Sequence, residues 1–202
     1  EHAWRLQEDS EHAGRPWLCV TGTNGKTTTV GMLGAMLRAA GENAVEVGNI
    51  GLPICEAIDT DATVFAVELS SFQLHTVSTV SPLASVCLNV DADHLDWHGS
   101  AQAYAADKAK VYHLTQKACF YPESDITVEN MVAEADVVEG ARAIGLTLGI
   151  PAISQVGWVE DALVERAFVE KRHMQAQFLA EVDDLRVAYH DGVTDAARMD
   201  AT

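Results

Sequence analysis

The segment WLCVTGTNGKTT, residues 17–28, decides how this chain folds. Its first four residues are apolar and predict a short buried strand. A Gly-rich loop follows, and residues 27–40 then place apolar side chains at helical spacing. Gly41 lies just past the last of them, as is typical of a helix C-terminus. A strand, a Gly-rich loop and a helix in this order predict the start of a parallel α/β sheet.

The loop has the chemistry of a phosphate site. Glycines let backbone N–H groups converge on phosphate oxygens, and the N-terminus of the following helix favours negative charge. Lys26 is placed to reach the outer phosphates, and the Thr27 hydroxyl is a magnesium ligand. The loop departs from the pattern G-x-x-x-x-G-K-[ST], because residue 20 is Val where the pattern has Gly. The alternative interpretation is a Gly-rich turn with an exposed lysine, which the flanking strand and helix disfavour. The predicted phosphate-binding residues are Gly22, Thr23, Asn24, Gly25, Lys26, Thr27 and Thr28.

Composition excludes several function classes. The 202 residues carry 13 Lys and Arg against 30 Asp and Glu, a net charge of −17, which argues against a nucleic-acid surface. Any anionic ligand must therefore be bound by a local group of positive charges or backbone N–H groups. No apolar run approaches the roughly 20 residues of a membrane span. The first residues show no basic region followed by an apolar one, so we expect a cytoplasmic location, and we expect a monomer.

Further apolar runs complete the predicted sheet, and the signals weaken after Pro122. We predict an α/β fold: a mostly parallel sheet flanked by helices, with a small antiparallel sheet in the C-terminal part. Residues 1–16 are polar and acidic and predict a short helix or linker. The predicted strands are 44–47, 63–69, 83–90, 118–121 and 141–148, the predicted helices 102–114 and 128–134, and the predicted antiparallel segments 157–169 and 177–187.

Two polar clusters follow predicted strands. Glu68 lies at the carboxyl end of strand 63–69, the edge where ligands bind in open α/β sheets, so it can face a nucleotide-bound magnesium. The alternative is a solvated or helix-capping Glu. Residues 89–99 contain three acids and two histidines, and His94 with the carboxylates can ligate a second metal. The alternative here is a polar loop with capping aspartates.

Four strings in order resemble a known family: TGTNGKT at the loop, GNIG at 48–51, ELSSFQL at 68–74 and DHLD at 93–96 are similar to the central domain of the Mur ligases. The GNIG and ELSSFQL strings most resemble the member that adds D-glutamate to UDP-N-acetylmuramoyl-L-alanine. The resemblance is dense from residue 4 to about residue 151. It implies that ATP phosphorylates the carboxylate of that substrate and that the amine of D-glutamate attacks the acyl phosphate.

The resemblance also implies site residues. Lys26, His94 and Lys108 would be catalytic, Thr27 and Glu68 would hold one Mg²⁺, and His94 a second. Lys108 matches the lysine that this family carbamylates, and its added carboxylate would help to hold the second Mg²⁺; from the residues alone it is a surface helix lysine. Substrate contacts would fall on Asn49, Ser70 and Gln73, and an adenine contact on Asp195.

The sequence departs from the family pattern at both of its ends. The family's H-N-x-x-N-A segment has its nearest match at residues 190–196, one residue longer, with Asp195 in the role of the second Asn. We expect residues 1–16 to be a linker from a missing N-terminal domain and residues 17–202 to be the ATP-binding domain, with the C-terminal amino-acid-binding domain absent. We therefore expect weak Mg-ATP binding and no ligation by the chain alone.

Two alternatives stay open. One is another ligase of the same superfamily, such as a folylpolyglutamate synthase or a cyanophycin-type ligase, against which the 68–74 string argues. The other is a binding module that holds nucleotide without turnover.

Overall fold

A computed structural model describes residues 1–91 and 93–184 of the chain. Within these ranges, nine strands form one sheet in the order β2-β3-β1-β4-β5-β6-β7-β8-β9, parallel from β2 through β7 and antiparallel from β7 to β9. The strands are β1 Trp17–Thr21, β2 Ala44–Gly48, β3 Val64–Glu68, β4 Ala84–Cys87, β5 Ala118–Pro122, β6 Arg142–Leu146, β7 Gln155–Val159, β8 Ala162–Glu165 and β9 Gln177–Glu181.

In the described part of the chain, seven helices connect or cover these strands, and they confirm the predicted α/β class. A 3-10 turn, Lys110–Tyr112, continues the sixth helix, so the predicted helix 102–114 changes type before its end. No helix in the described residues is long and apolar enough to cross a membrane. The helices are α1 His2–Glu8, α2 Lys26–Ala39, α3 Ile54–Ala57, α4 Ser71–His75, α5 Leu95–His98, α6 Ala101–Ala109 and α7 Ile126–Ala133.

The core lies on both faces of the parallel strands. Along β1, Trp17 and Cys19 enter the larger cluster beneath α1, α3 and α7, while Val20 packs with Val30 of α2 on the other face. This alternation follows from the two-residue period of a strand. Helix α1 belongs to the same core, since Trp4 is buried and its ring meets that of Trp17 at 5.1 Å.

The antiparallel strands extend the main sheet. We predicted a small antiparallel sheet in this part of the chain, and β8 runs antiparallel to both of its neighbours, β7 and β9. However, β7 also pairs with β6 in parallel register, so the sheet is continuous. The last residues of the predicted segment 177–187 lie outside the described residues.

The strand order brings the predicted clusters to one edge. Strand β1 lies between β3 and β4, and the chain leaves all three strands at the same end of the sheet. That end is the crevice where open α/β sheets bind ligands. The loop after β1, Glu68 at the end of β3 and the segment after β4 are therefore neighbours.

Two glycines with positive φ have different surroundings. Gly41, at φ +92°, ends α2: its N–H donates to Arg38 O and the next N–H, of Glu42, donates to Leu37 O, each at 3.0 Å. A Cβ at Gly41 would meet nothing within 4 Å. Gly48, at φ +115°, ends β2, and a Cβ there would overlap the carbonyl oxygen of Glu68. Only a glycine permits this approach of β2 to the end of β3.

We expect Gly48→Ala to lower the free energy of unfolding more than the matched Gly41→Ala. Both variants carry the cost of a left-handed residue, about 1–2 kcal/mol. Gly48→Ala adds overpacking against backbone, about 1–3 kcal/mol. Urea denaturation monitored by tryptophan fluorescence measures both. Equal losses of unfolding free energy in the two variants would show that β2 can move away from the end of β3 without an energetic cost.

Candidate functional site

The loop between β1 and α2 presents four backbone N–H groups. Gly25, at φ +84°, is the N-cap of the 14-residue helix α2. In the described part of the chain, the N–H groups of residues 25–28 have no hydrogen-bond acceptor. The N–H groups of Thr23 and Asn24, by contrast, donate to the backbone oxygen and Oδ1 of Asn89. The loop therefore offers an anion the amides of its second half.

Two lysines converge on the same carbonyl of this loop. Lys26 Nζ donates to Gly22 O at 3.0 Å and to Thr23 O at 3.2 Å. Lys108 Nζ, from α6, donates to Gly22 O at 2.8 Å. Two ammonium groups thus flank the free amides in a chain of net charge −17. These two ammonium groups supply the local positive charge that an acidic chain needs in order to bind an anion.

Lys108 is buried, whereas the residues alone predicted a surface lysine on a helix. It is 2% exposed, and its Nζ lies 4.8 Å from the centre of the Tyr104 ring. Burial lowers the pKa of Lys108 to about 8, and repulsion from Lys26 acts in the same direction. A substantial fraction of this amine is therefore neutral near physiological pH.

Glu68 is also buried and is held by two donors. It is 1% exposed, which rules out the solvated Glu that we considered. Its Oε2 accepts from Thr27 Oγ1 at 2.9 Å, and its Oε1 accepts from Asn49 Nδ2 at 3.0 Å. The backbone N–H of Asn49 donates to Glu68 O at 2.9 Å. The Glu68 carboxylate therefore connects the end of β3 to the end of β2 and to the first turn of α2.

The segment after β4 is bonded to the loop. Asn89 Nδ2 returns a hydrogen bond to Asn24 O at 3.1 Å, so its carboxamide pairs with both backbone groups of Asn24. Thr23 Oγ1 lies 3.1 Å from Tyr104 OH and accepts from Asp91 N at 3.0 Å. Sequence reasoning gave no role to Asn89 or Tyr104. The one available signal for Tyr104 is its position four residues before Lys108, on the same helix face.

His94 stands apart from the other predicted residues. It is the N-cap of α5 at φ +51°, and its side chain is 48% exposed. Its Nε2 lies 3.4 Å from Asp93 Oδ2, and its ring centre is 5.0 Å from that of Phe72. Within the described residues, no hydrogen bond or ion pair joins it to Glu68 or Lys108.

Ser70 and Gln73 pair with each other. Ser70 is the N-cap of α4: its Oγ accepts from Gln73 N at 3.2 Å, while Gln73 Oε1 accepts from Ser70 N at 2.9 Å. This capping box is a structural role that the substrate prediction overlooked. Gln73 also borders a cavity of about 250 Å³ beside Gly48 and Leu69. Asp195 lies outside the described residues.

The described residues contain no group of three or more His, Cys, Asp or Glu side chains placed to hold a metal. A Mg²⁺ bound mainly by phosphates and water needs only one or two protein ligands. Thr27 and Glu68 fit that requirement. Thr27 Oγ1 donates to Glu68 Oε2 at 2.9 Å, so the two oxygens are close enough to face one cation.

Solved structures with the same fold cover nearly the whole chain. A UDP-N-acetylmuramoyl-L-alanyl-D-glutamate–2,6-diaminopimelate ligase aligns with a TM-score of 0.66 at 16% identity, over 96% of this chain and 46% of its own. A bifunctional folylpolyglutamate synthase/dihydrofolate synthase aligns with a TM-score of 0.55 at 15% identity, over 98% of this chain and 57% of its own. At these identities the likeness establishes the fold.

Curated relatives are much more similar in sequence. The UDP-N-acetylmuramoylalanine–D-glutamate ligase of Streptomyces coelicolor is 52% identical over 187 residues, 92% of this chain and 40% of the relative. The enzyme of the same name from Thermobifida fusca is 46% identical over 189 residues, 92% of this chain and 39% of the relative. The chain thus spans about 40% of the length of these relatives.

A family model settles the relationship. The Mur ligase middle domain matches residues 20–149, a range that begins in β1 and includes the loop, Glu68, His94 and Lys108. This match covers more than half of the chain, so the chain belongs to the Mur ligase family through its middle domain.

Proposed function

We propose that this chain is the ATP-binding segment of a ligase that joins D-glutamate to UDP-N-acetylmuramoyl-L-alanine. The observation that carries the proposal is the convergence of Lys26, Lys108 and Glu68 on one phosphate loop, from three separate elements. The names of relatives up to 52% identical support the choice of substrates.

The ATP phosphates bind at the free amides of residues 25–28. Those amides lie at the start of α2, where the helix dipole favours negative charge. Lys26 leaves its own loop carbonyls and turns to the outer phosphates, because a phosphate is a stronger acceptor for an ammonium than a neutral carbonyl. Asn89 and Tyr104 keep the first half of the loop fixed while the second half binds.

Thr27 and Glu68 hold the first Mg²⁺. The buried Glu68 brings a full negative charge to a site otherwise lined by lysines, so it favours a cation beside the phosphates. When bound, Mg²⁺ neutralises charge that develops on the transferring phosphoryl group. Asn49 orients the carboxylate through its second oxygen.

The reaction has two transfers. A carboxylate oxygen of UDP-N-acetylmuramoyl-L-alanine attacks the γ-phosphorus, and ADP leaves. The amine nitrogen of D-glutamate then attacks the acyl carbon, inorganic phosphate leaves, and the nitrogen loses a proton to give the amide. The chain's own part is to hold the phosphates in line and to stabilise their charge, which is the main catalytic work in phosphoryl transfer.

Lys108 and His94 serve a second Mg²⁺. The neutral Lys108 amine attacks carbon dioxide, a C–N bond forms and a proton is released, so a positive side chain becomes a negative carbamate. Burial favours this step because it lowers the pKa of Lys108 to about 8. His94, exposed at the same edge, supplies an imidazole nitrogen.

Substrate contacts complete the proposal. Asn49 and Gln73 line the path of the uridine-linked substrate, with Ser70 beside them, and Asp195 contacts adenine. Residues 1–16 lead from an N-terminal domain, and their helix α1 packs on the central domain, residues 17–202, of a protein with a C-terminal amino-acid-binding domain. The length of the curated relatives supports this division. We place the enzyme in the cytoplasm as a monomer.

A chimera tests the proposed function. This chain replaces the matching segment of the Streptomyces coelicolor relative, whose flanking parts stay in place. We expect phosphate release that requires both UDP-N-acetylmuramoyl-L-alanine and D-glutamate, and we expect Lys108→Ala to abolish it. Lys117→Ala, an exposed lysine at the opposite end of the sheet, is the charge-matched control and should keep full activity.

Two outcomes would contradict this proposal. A folded chimera that binds ATP without acceptor-dependent phosphate release would favour the binding module. Release triggered by a folate and glutamate, and not by D-glutamate, would favour a folylpolyglutamate-type ligase.

Carbamylation of Lys108 is tested on the chain itself. With ¹³C-labelled bicarbonate, we expect one carbamate resonance in the carbon NMR spectrum, and we expect it to vanish in Lys108→Arg. Lys110→Arg, which keeps a cation beside Asp107, is the control and should retain the resonance. At constant dissolved carbon dioxide, its intensity should rise as pH increases through about 8, because the neutral amine is the reactive form. A resonance unchanged in Lys108→Arg would exclude Lys108 as the modified residue.

A further inference from the structure

A second histidine, on the same helical turn as His94, has an entirely buried side chain and no role in the reaction described above. The His98 side chain is 0% exposed. Its Nδ1 lies 3.0 Å from Asp107 Oδ2, and its Nε2 lies 3.0 Å from Ser71 Oγ. Its ring stacks on Phe72 at a centroid distance of 5.5 Å. Because both ring nitrogens have partners, the orientation of the imidazole is fixed.

Helix α5 has few other attachments. It has four residues, Leu95–His98, none of them buried as a whole residue. A single helical turn is unstable by itself, so its position depends on side-chain contacts. Trp97 contributes ring contacts with Phe72 and His75 but is 52% exposed. His98 is thus the buried attachment of this turn, and His94 is the N-cap of the same turn.

The partners of His98 are themselves anchored. Asp107 is 6% exposed and also meets His75 Nδ1 at 2.9 Å and Lys110 Nζ at 3.0 Å. It precedes Lys108 on α6. Ser71, 3% exposed, is the first residue of α4 and follows the end of β3 by three positions. His98 therefore joins α5 to the element that carries Lys108 and to the one that follows Glu68.

We propose that His98 is a positioning residue that fixes His94 relative to Glu68 and Lys108. It makes no contact with the phosphate loop itself among the hydrogen bonds of the described residues. It acts through His94, because it holds the turn on which His94 is exposed. The inference rests on the proposed role of His94 at the magnesium–nucleotide site.

A double-mutant cycle on the chain separates positioning from simple stabilisation. The variants are His94→Ala, His98→Phe and the double substitution, and calorimetry measures the Kd for ATP with saturating Mg²⁺. Phe keeps the ring and its stacking but loses both polar contacts. We expect His94→Ala to weaken binding about tenfold and His98→Phe about three- to tenfold, as for residues around a metal. The double variant should bind within about twofold of His94→Ala, because His98 then has nothing left to position.

Controls identify a general loss of stability. Gln7→Leu leaves the buried Trp17 Nε1 unpaired at the far end of β1, so it should lower thermal stability and keep the wild-type Kd. His98→Gln retains a polar group that can hydrogen-bond to Ser71 Oγ, and it replaces His98→Phe if the latter does not fold at the assay temperature. Amide exchange gives a readout independent of metal: the N–H groups of Trp97 and Gly99, which donate to His94 O and Leu95 O, should exchange faster in the His98 variants.

The possible failures are distinguishable. If His94→Ala binds Mg-ATP as tightly as wild type, the proposed role of His94 fails and this inference fails with it. If His94→Ala weakens binding while His98→Phe does not, or if the two losses add fully in the double variant, only the positioning role is overturned.

Discussion

The hydrogen bond between Thr27 Oγ1 and Glu68 Oε2, 2.9 Å long, is the contact on which the site depends. A carboxylate that is 1% exposed is unfavourable unless donors and a nearby positive charge compensate for its lost hydration. Thr27 and Asn49 supply the donors, and the absence of a side chain at Gly48 lets Asn49 come close enough. The first turn of α2 and the ends of β2 and β3 are thereby fixed around one charge.

The surrounding charges explain how an acidic chain binds an anion. The net charge of −17 repels ATP in general, but Lys26 and Lys108 meet at Gly22 O beside free amides. Burial makes Lys108 a weaker cation, with its pKa lowered to about 8. The same burial favours the neutral amine, which is the form that the proposed carbamylation requires. In the proposed function, this one side chain belongs to a phosphate site before carbamylation and to a magnesium site after it.

Sequence reasoning located this site because parallel strands end at a common edge. Residues 22–28 and Glu68 lie together at that edge, whereas Lys108 entered only through the family resemblance and from the residues alone looked like a surface lysine. His94, expected at the same edge, has no hydrogen bond or ion pair to Glu68 or Lys108 within the described residues. The hydrogen-bond partners of individual side chains were harder to predict. Apolar periodicity reports burial and says nothing about hydrogen-bond partners, so the capping box of Ser70 and Gln73, the pairing of Asn89 with the loop and the burial of His98 were missed. The pairing of β7 with β6 was missed for a related reason, because alternation marks a strand and leaves its neighbours undefined.

The most direct test of the account measures how magnesium changes ATP affinity in the wild type and in Glu68→Gln. Gln has the same size and can still accept from Thr27, so the substitution removes the negative charge and the second acceptor, to which Asn49 Nδ2 donates. We expect Mg²⁺ to tighten ATP binding to the wild type at least about tenfold, and to Glu68→Gln less than about twofold. A Glu68→Gln chain that keeps the full magnesium effect would contradict it, because the first magnesium would then lie elsewhere.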